Sequence, residues 1–365
     1  MRPAVFCVTH KKIASGKGVS FKGSLGGTGR WEALGRMGIA AEFGSRDKLK
    51  FFTRAFGWAV LAHFTVWMVS NILTHSFDWP GASSVYGDSA TLLSYIQWIA
   101  YPLAIGGAVG WVWCSENVSL RQDAAAISDF NTVLVRWAFF AVLFIGLADM
   151  IISFLRVEGM LEAVVGKELT TDLGRSAFRG PWVHVPMMIL ALFFGLRAKT
   201  LGFHWLALLI VVAELAIVIT RFVFSYEQAF MGDLVRFWYA ALFLFASAYT
   251  LLEEGHVRVD IFYAGLKNKT KGFLNALGSL LLGITLCWTI IIVCLDGKGS
   301  IVYGPVVNFE VSQSGFGMYV KYLMASFLVV FAITMLIQFV SYLMESVADY
   351  REEPGTRLNR EVAAH

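Results

Sequence analysis

Charge is scarce in this sequence. Asp, Glu, Lys and Arg make up 15% of 365 residues while apolar residues make up 57%, a balance that a soluble chain of this length would not keep on its surface. Proline is scarce too, at seven residues, and Cys7, Cys114, Cys287 and Cys294 form no CxxC pair. That points away from a disulfide framework and from a thiolate zinc site. The chain contains no GxxxxGK[ST] phosphate loop, no HExxH and no GxSxG. These absences remove the usual signatures of an ATP-driven pump, a zinc protease and a serine hydrolase. Neither enzymatic activity nor a bound cofactor or metal is expected.

What is present is apolar sequence in long continuous runs, with a mean hydropathy of +0.63. A helix needs about 17 to 25 apolar residues to cross the hydrocarbon core. Eight stretches fit: 55–73, 92–113, 133–155, 182–196, 205–224, 234–252, 273–295 and 318–344. The fourth is the weakest, being short and carrying His184 and Pro186. None alternates with period 2, so the spans are helices and not barrel strands, and the fold class is an all-α membrane protein. Only Pro102 and Pro186 fall within spans. A substrate-translocating unit tends to break its helices with Gly and Pro at the midplane; unbroken helices suit a scaffold.

Lys and Arg set the orientation. With the N-terminus inside, the cytoplasmic side receives ten in residues 1–50, four in 253–272 and three after Met344, whereas 75–90 and 225–233 have none and 296–317 has only Lys298. This follows the positive-inside rule and places both termini in the cytoplasm. The loop 156–181 dissents, with Arg156, Lys167, Arg175 and Arg179. Residues 1–50 are Gly-rich and basic, without the apolar core of a cleaved signal peptide. They read as a flexible cytoplasmic arm; a targeting presequence, a lipid-surface anchor or a start at Met37 are the other readings.

Polar residues inside the spans admit two readings each. Asp149, Glu214 and Gln338 are the intramembrane candidates, and Arg221 lies seven residues after Glu214 on the same helical face. Each carboxylate is either an ion or proton relay, or a structural group paired with a neighbouring helix. Gly106 and Gly110 have the GxxxG spacing that permits close helix contact. His63 and His184 lie inside spans, with His75 and His204 at span edges. Histidines on facing helices can ligate haem iron, so a haem- or quinone-associated anchor of an electron-transfer complex is the alternative reading.

From about residue 201 to 346 the chain resembles the small membrane subunit of tripartite ATP-independent periplasmic (TRAP) transporters, the DctQ-type family. The matching residues come in order: Arg221 and Phe222; Asp233, Leu234, Val235, Arg236 and Phe237; then Ala248 to Leu251 leading into Gly255, His256, Val257, Arg258, Val259 and Asp260. Glu310, Val311, Ser312, Gly315, Phe316 and Lys321 resemble the family's periplasmic loop, and Gln338 its last helix. Asp233 stands where the family pattern leads one to expect Glu. The resemblance divides the chain into an arm (1–50), an additional region of about four helices (51–200), a four-helix bundle like the small subunit (201–346) and a tail (347–365).

The resemblance implies a bacterial inner-membrane subunit that braces a large permease during sodium-coupled uptake of organic acids or related solutes delivered by a periplasmic binding protein. Its expected partners are these two proteins and membrane lipid, with no nucleic acid. His256, Arg258 and Asp260 alternate with apolar residues and suit a latch to the permease at the cytoplasmic surface, while Tyr303, Asn308, Glu310, Ser312 and Lys321 suit docking on the other side. Arg221, Asp233 and Arg236 are further partner-contact candidates. The resemblance leaves the role of residues 51–200 open.

Overall fold

The computed structural model describes residues 29–87, 90–198, 203–226, 229–252, 263, 265–311 and 317–355, with side chains from Lys48 onward. Among them there are helices and turns and no strand. The helices are α1 (Gly29–Ser76), α2 (Leu92–Cys114), α3 (Leu120–Val157), the short α4 (Leu161–Val165), α5 (Lys167–Leu173) and α6 (Ser176–Arg179), then α7 (Val185–Arg197), α8 (Phe203–Val223), α9 (Ala229–Leu252), α10 (Asn268–Gly278), α11 (Thr285–Leu295), α12 (Tyr303–Val307) and α13 (Lys321–Tyr350). A π-helical turn, Gly180–His184, joins α6 to α7, and another, Ser279–Ile284, joins α10 to α11. Eight of the resulting rods are long and apolar enough to cross a membrane.

The span expected to be weakest is long and apolar enough to cross, at Ser176–Arg197, because its helix begins before the apolar run. Helix α1 also begins early, at Gly29, inside the segment expected to be a flexible arm. The seventh crossing contains the π turn at Ser279–Ile284 where sequence suggested an uninterrupted helix. Both α2 and α3 start on capping boxes, Thr91 with Ser94 and Ser119 with Gln122, which satisfy the first free N–H groups of each helix.

Successive crossings alternate in direction. The end carrying residues 158–175 and 297–311 is here the upper end; the end carrying Lys48, Ser119 and Tyr350 is the lower. Helices α3 and α13 pack together at the centre; α9 packs on both, α7 on α3, and the α1–α2 pair reaches α13 through α1. One apolar cluster runs through Ile127, Phe139 and Ile145 of α3, Phe237 and Phe245 of α9, and Phe327, Leu336 and Met344 of α13. The first four crossings and the last four therefore share a core.

Lipid tails are as apolar as these side chains, so close packing and polar contacts must hold the helices together. Gly146 permits one such approach: Trp238 of α9 lies against it and donates its indole N–H to Val142 O at 3.3 Å. Gly272 permits another, since a Cβ there would lie 2.6 Å from Tyr350 N. By contrast nothing lies within 4 Å of a Cβ at Gly106 or Gly110, so the GxxxG face of α2 makes no close contact among the described residues. Gly146→Leu is expected to push α9 from α3 and lower stability by about 1–3 kcal/mol, the usual cost of overpacking. Thermal unfolding in detergent reads this; an unchanged midpoint would mean the two helices have room to spare.

Candidate functional site

Polar side chains, most of them buried, form a seam in three layers among the first four crossings and where these meet α13. The upper layer centres on Asp149 of α3, which is fully buried. Its Oδ1 accepts from Arg179 Nη1 at 2.7 Å and from His184 Nε2 at 3.3 Å; its Oδ2 accepts the Tyr319 backbone N–H at 2.8 Å. His184 Nδ1 is 2.6 Å from the Tyr322 hydroxyl on α13. With Nε2 donating to Asp149, neutral imidazole leaves Nδ1 to accept that O–H. The π turn Gly180–His184 follows Arg179 directly and ends on His184, so this local widening of the helix places both partners against α3.

Tyr319 closes the layer. The Arg179 and Arg156 guanidinium carbons lie 4.3 and 4.8 Å from its ring centroid. Arg156 Nη1 donates to its hydroxyl at 2.5 Å, and that hydroxyl donates to Gly174 O at 2.9 Å. Two of the four basic residues in the dissenting loop are thus held inside the fold, with Arg179 balanced by Asp149.

The middle layer joins α3 to α13 by neutral groups. Asn131 Nδ2 donates to Thr334 O at 2.9 Å and to Gln338 Oε1 at 3.1 Å, and Ser128 Oγ to Gln338 Oε1 at 3.4 Å. In the lower layer Arg54 Nε is 2.6 Å from Asp123 Oδ2, with Nη1 and Nη2 donating to Ser115 O and Oγ at 2.7 and 2.9 Å. Arg121 of α3 spans Glu345 and Asp349 of α13 at 3.3 and 2.7 Å. Ser341 Oγ adds a bond to Ala124 O at 2.7 Å.

Of the sequence candidates, Asp149 and Gln338 are in the seam, Asp149 paired with Arg179 and Gln338 accepting from Asn131 and Ser128. Glu214 is elsewhere: it is exposed at the middle of α8. Arg221 is exposed near the end of α8, and Arg236 is 77% exposed and 4.0 Å from Asp233. Asp233 accepts the Met318 N–H at 3.1 Å, which brings the start of α9 beside the start of α13. Glu310 and Lys321 form an exposed pair at 2.6 Å. Tyr303, considered for docking, instead turns inward to Ser76 at 2.6 Å. His256, Arg258, Asp260 and Ser312 lie outside the described residues.

Sequence reading missed Arg54, Asp123, Arg121, Asn131, Arg179, Tyr319 and Tyr322. Arg54, Arg121 and Asp123 sit at span ends, where charge looks like ordinary surface; the polar spacing Ser128, Asn131 on the approach to the third span was the available signal. Upper-end loops are tied as well: Lys298 Nζ is 2.7 Å from Asp78. The Lys298 ammonium, by hydrogen bond and charge, holds the Asp78 carboxyl below its usual value, and Asp78 in turn raises Lys298.

Both ring nitrogens of His184 are engaged, and the His63 ring sits between Tyr101 and Trp288 at 5.2 and 5.5 Å. Among the described residues no three His, Cys, Asp or Glu side chains converge as metal ligands. Residues 208–349 match the family model for tripartite ATP-independent periplasmic transporters, DctQ component. The match opens inside α8 and closes at the end of α13, so it covers the last four crossings. No curated protein and no solved structure matches the chain.

Proposed function

We propose that this chain, which belongs through residues 208–349 to the DctQ component family of the tripartite ATP-independent periplasmic transporters, is the stationary scaffold of such a transporter. In this reading the small membrane subunit braces a large permease in the bacterial inner membrane. A periplasmic binding protein delivers the solute, an organic acid or related compound, and a sodium gradient drives uptake. Both termini face the cytoplasm, which puts the lower end of the bundle inside.

The observation that carries the scaffold reading is the seam. His184 to Tyr322, Asn131 to Gln338, Ala124 to Ser341 and Arg121 to Glu345 and Asp349 tie α3 and the fourth crossing to α13, the most buried crossing, while the buried pairs Arg54–Asp123 and Asp149–Arg179 lock the first four crossings to one another. Partially broken polar networks are costly, so such a joint favours one arrangement. A transport element that exchanges partners each cycle is better served by discontinuous helices around a midplane site. The extra crossings then widen the scaffold instead of forming a second activity. His256, Arg258 and Asp260 latch the permease on the cytoplasmic side, and at the upper end the exposed Glu310 and Lys321 meet the binding protein.

Purification of the tagged chain from native membranes, followed by reconstitution with its binding protein in liposomes, tests this reading. A large multi-span permease is expected to co-purify, and uptake is expected only with an inward sodium gradient. Recovery of the chain without such a permease would sink the scaffold role; uptake indifferent to sodium would sink the coupling.

A further inference from the structure

Helix α8 stands apart from the other crossings of the family region. It packs chiefly on α9. The first four crossings cover the rest: α13 meets α1 and α3, α9 meets α3, and the seventh crossing meets α1 where Trp288 lies 5.5 Å from His63 and 5.9 Å from Phe64 and Trp67. The extension thus occupies surfaces that a bare four-helix subunit would leave open, and α8 is the crossing it leaves uncovered.

At the middle of that helix is Glu214, 11 residues after Phe203 and 9 before Val223. Its neighbours Val211, Leu215 and Val218 are exposed and apolar, as is Glu214's own surrounding face. The carboxylate has no hydrogen-bond or ion-pair partner among the described residues. The buried charges among the described residues are matched, Arg54 with Asp123 and Asp149 with Arg179. A carboxylate at mid-depth facing lipid tails is costly and in membrane proteins turns toward a partner or a wet cavity.

We propose that α8 is the docking helix for the large permease, and that Glu214 meets there a basic or hydrogen-bond-donating side chain on a permease helix at mid-membrane depth. This rests on the transporter reading above. A second copy of this chain fits poorly as occupant: a two-fold contact along α8 would bring two Glu214 carboxylates together. Lipid tails supply no donor.

Photo-crosslinking in native membranes of the full complex tests the proposal. A benzophenone amino acid is placed at Val211, Leu215 or Val218, and as controls at exposed Leu281 or Leu282 of the π turn between α10 and α11. The α8 positions are expected to crosslink to a chain identified by peptide mass as the multi-span permease, with the controls silent. Glu214→Lys is expected to lower co-purified permease about tenfold or more, since like charges across an interface are strongly penalised. Glu214→Gln keeps a hydrogen-bonding group and is expected to lose less. Because Glu214 is exposed and has no hydrogen-bond or ion-pair partner among the described residues, both variants should unfold like the parent. Controls that crosslink to the permease while α8 does not, α8 crosslinks to a second copy, or full permease recovery with Glu214→Lys would each overturn the proposal and leave the transporter reading intact. Absence of any permease from the parent preparation would instead overturn the reading on which it rests.

Discussion

Asp149→Asn is expected to destabilise the protein by about 3–5 kcal/mol, the usual result of breaking a buried ion pair from one side. The loss comes from what remains: a fully buried Arg179 guanidinium without its counter-charge, beside a Tyr319 N–H and a His184 that relied on the same carboxylate. An Asn can accept at one oxygen, but its NH2 group then faces a donor. The damage should be local at first, loosening the start of the fourth crossing and the approach to α13. Thermal unfolding in detergent gives the magnitude, and protease cutting within 158–175 gives the place. The pair Asp149→Leu with Arg179→Met, which removes both charges and keeps apolar volume, is expected to recover a large part of the loss. A double variant as unstable as the sum of its parts would show that the charge balance was not the source.

Arg54→Met should produce the second large effect, toward the lower part of that range of about 3–5 kcal/mol because the pair lies near the membrane surface. Arg54 is 1% and Asp123 6% exposed, so the stranded carboxylate would still be mostly shielded from water. The same guanidinium holds Ser115 at the end of α2. Its removal is expected to release the α1–α2 pair before the rest of the bundle. Hydrogen exchange can separate the two: amides in α1 and α2 should exchange faster while those of α9 and α13 keep their protection. Uniform acceleration across all the helices would show that the lower layer supports the whole bundle and not this one joint.

Contrasts within the chain show where sequence reading stops. Asp149 and Glu214 are both carboxylates in apolar helices, and the one difference in sequence, that Asp149 stands nearer the end of its span, does not say what either side chain meets. Asp149 is enclosed because the chain turns back through 158–175 and brings Arg179, 30 residues later, onto it, with His184 at the end of the π turn that follows. Glu214 is exposed because its helix meets essentially one neighbour. Glycines teach the same lesson. The GxxxG pair on α2 faces open space, while Gly146, which belongs to no motif, receives the Trp238 indole.

By itself the sequence determined that this is a helical membrane protein with eight crossings, and its ordered Arg, Asp, His and Gln residues carried the likeness to the TRAP small subunit before any coordinates. Those features are local: run length sets what can span a bilayer, and a family pattern is read in chain order. The tertiary structure decided that the four additional crossings share a core with the family region, which polar residues are spent in holding them there, and which carboxylate is left facing outward. Helix association in lipid depends on side chains from distant segments meeting at ångström range, and one helix's sequence holds no record of which face its neighbours will cover.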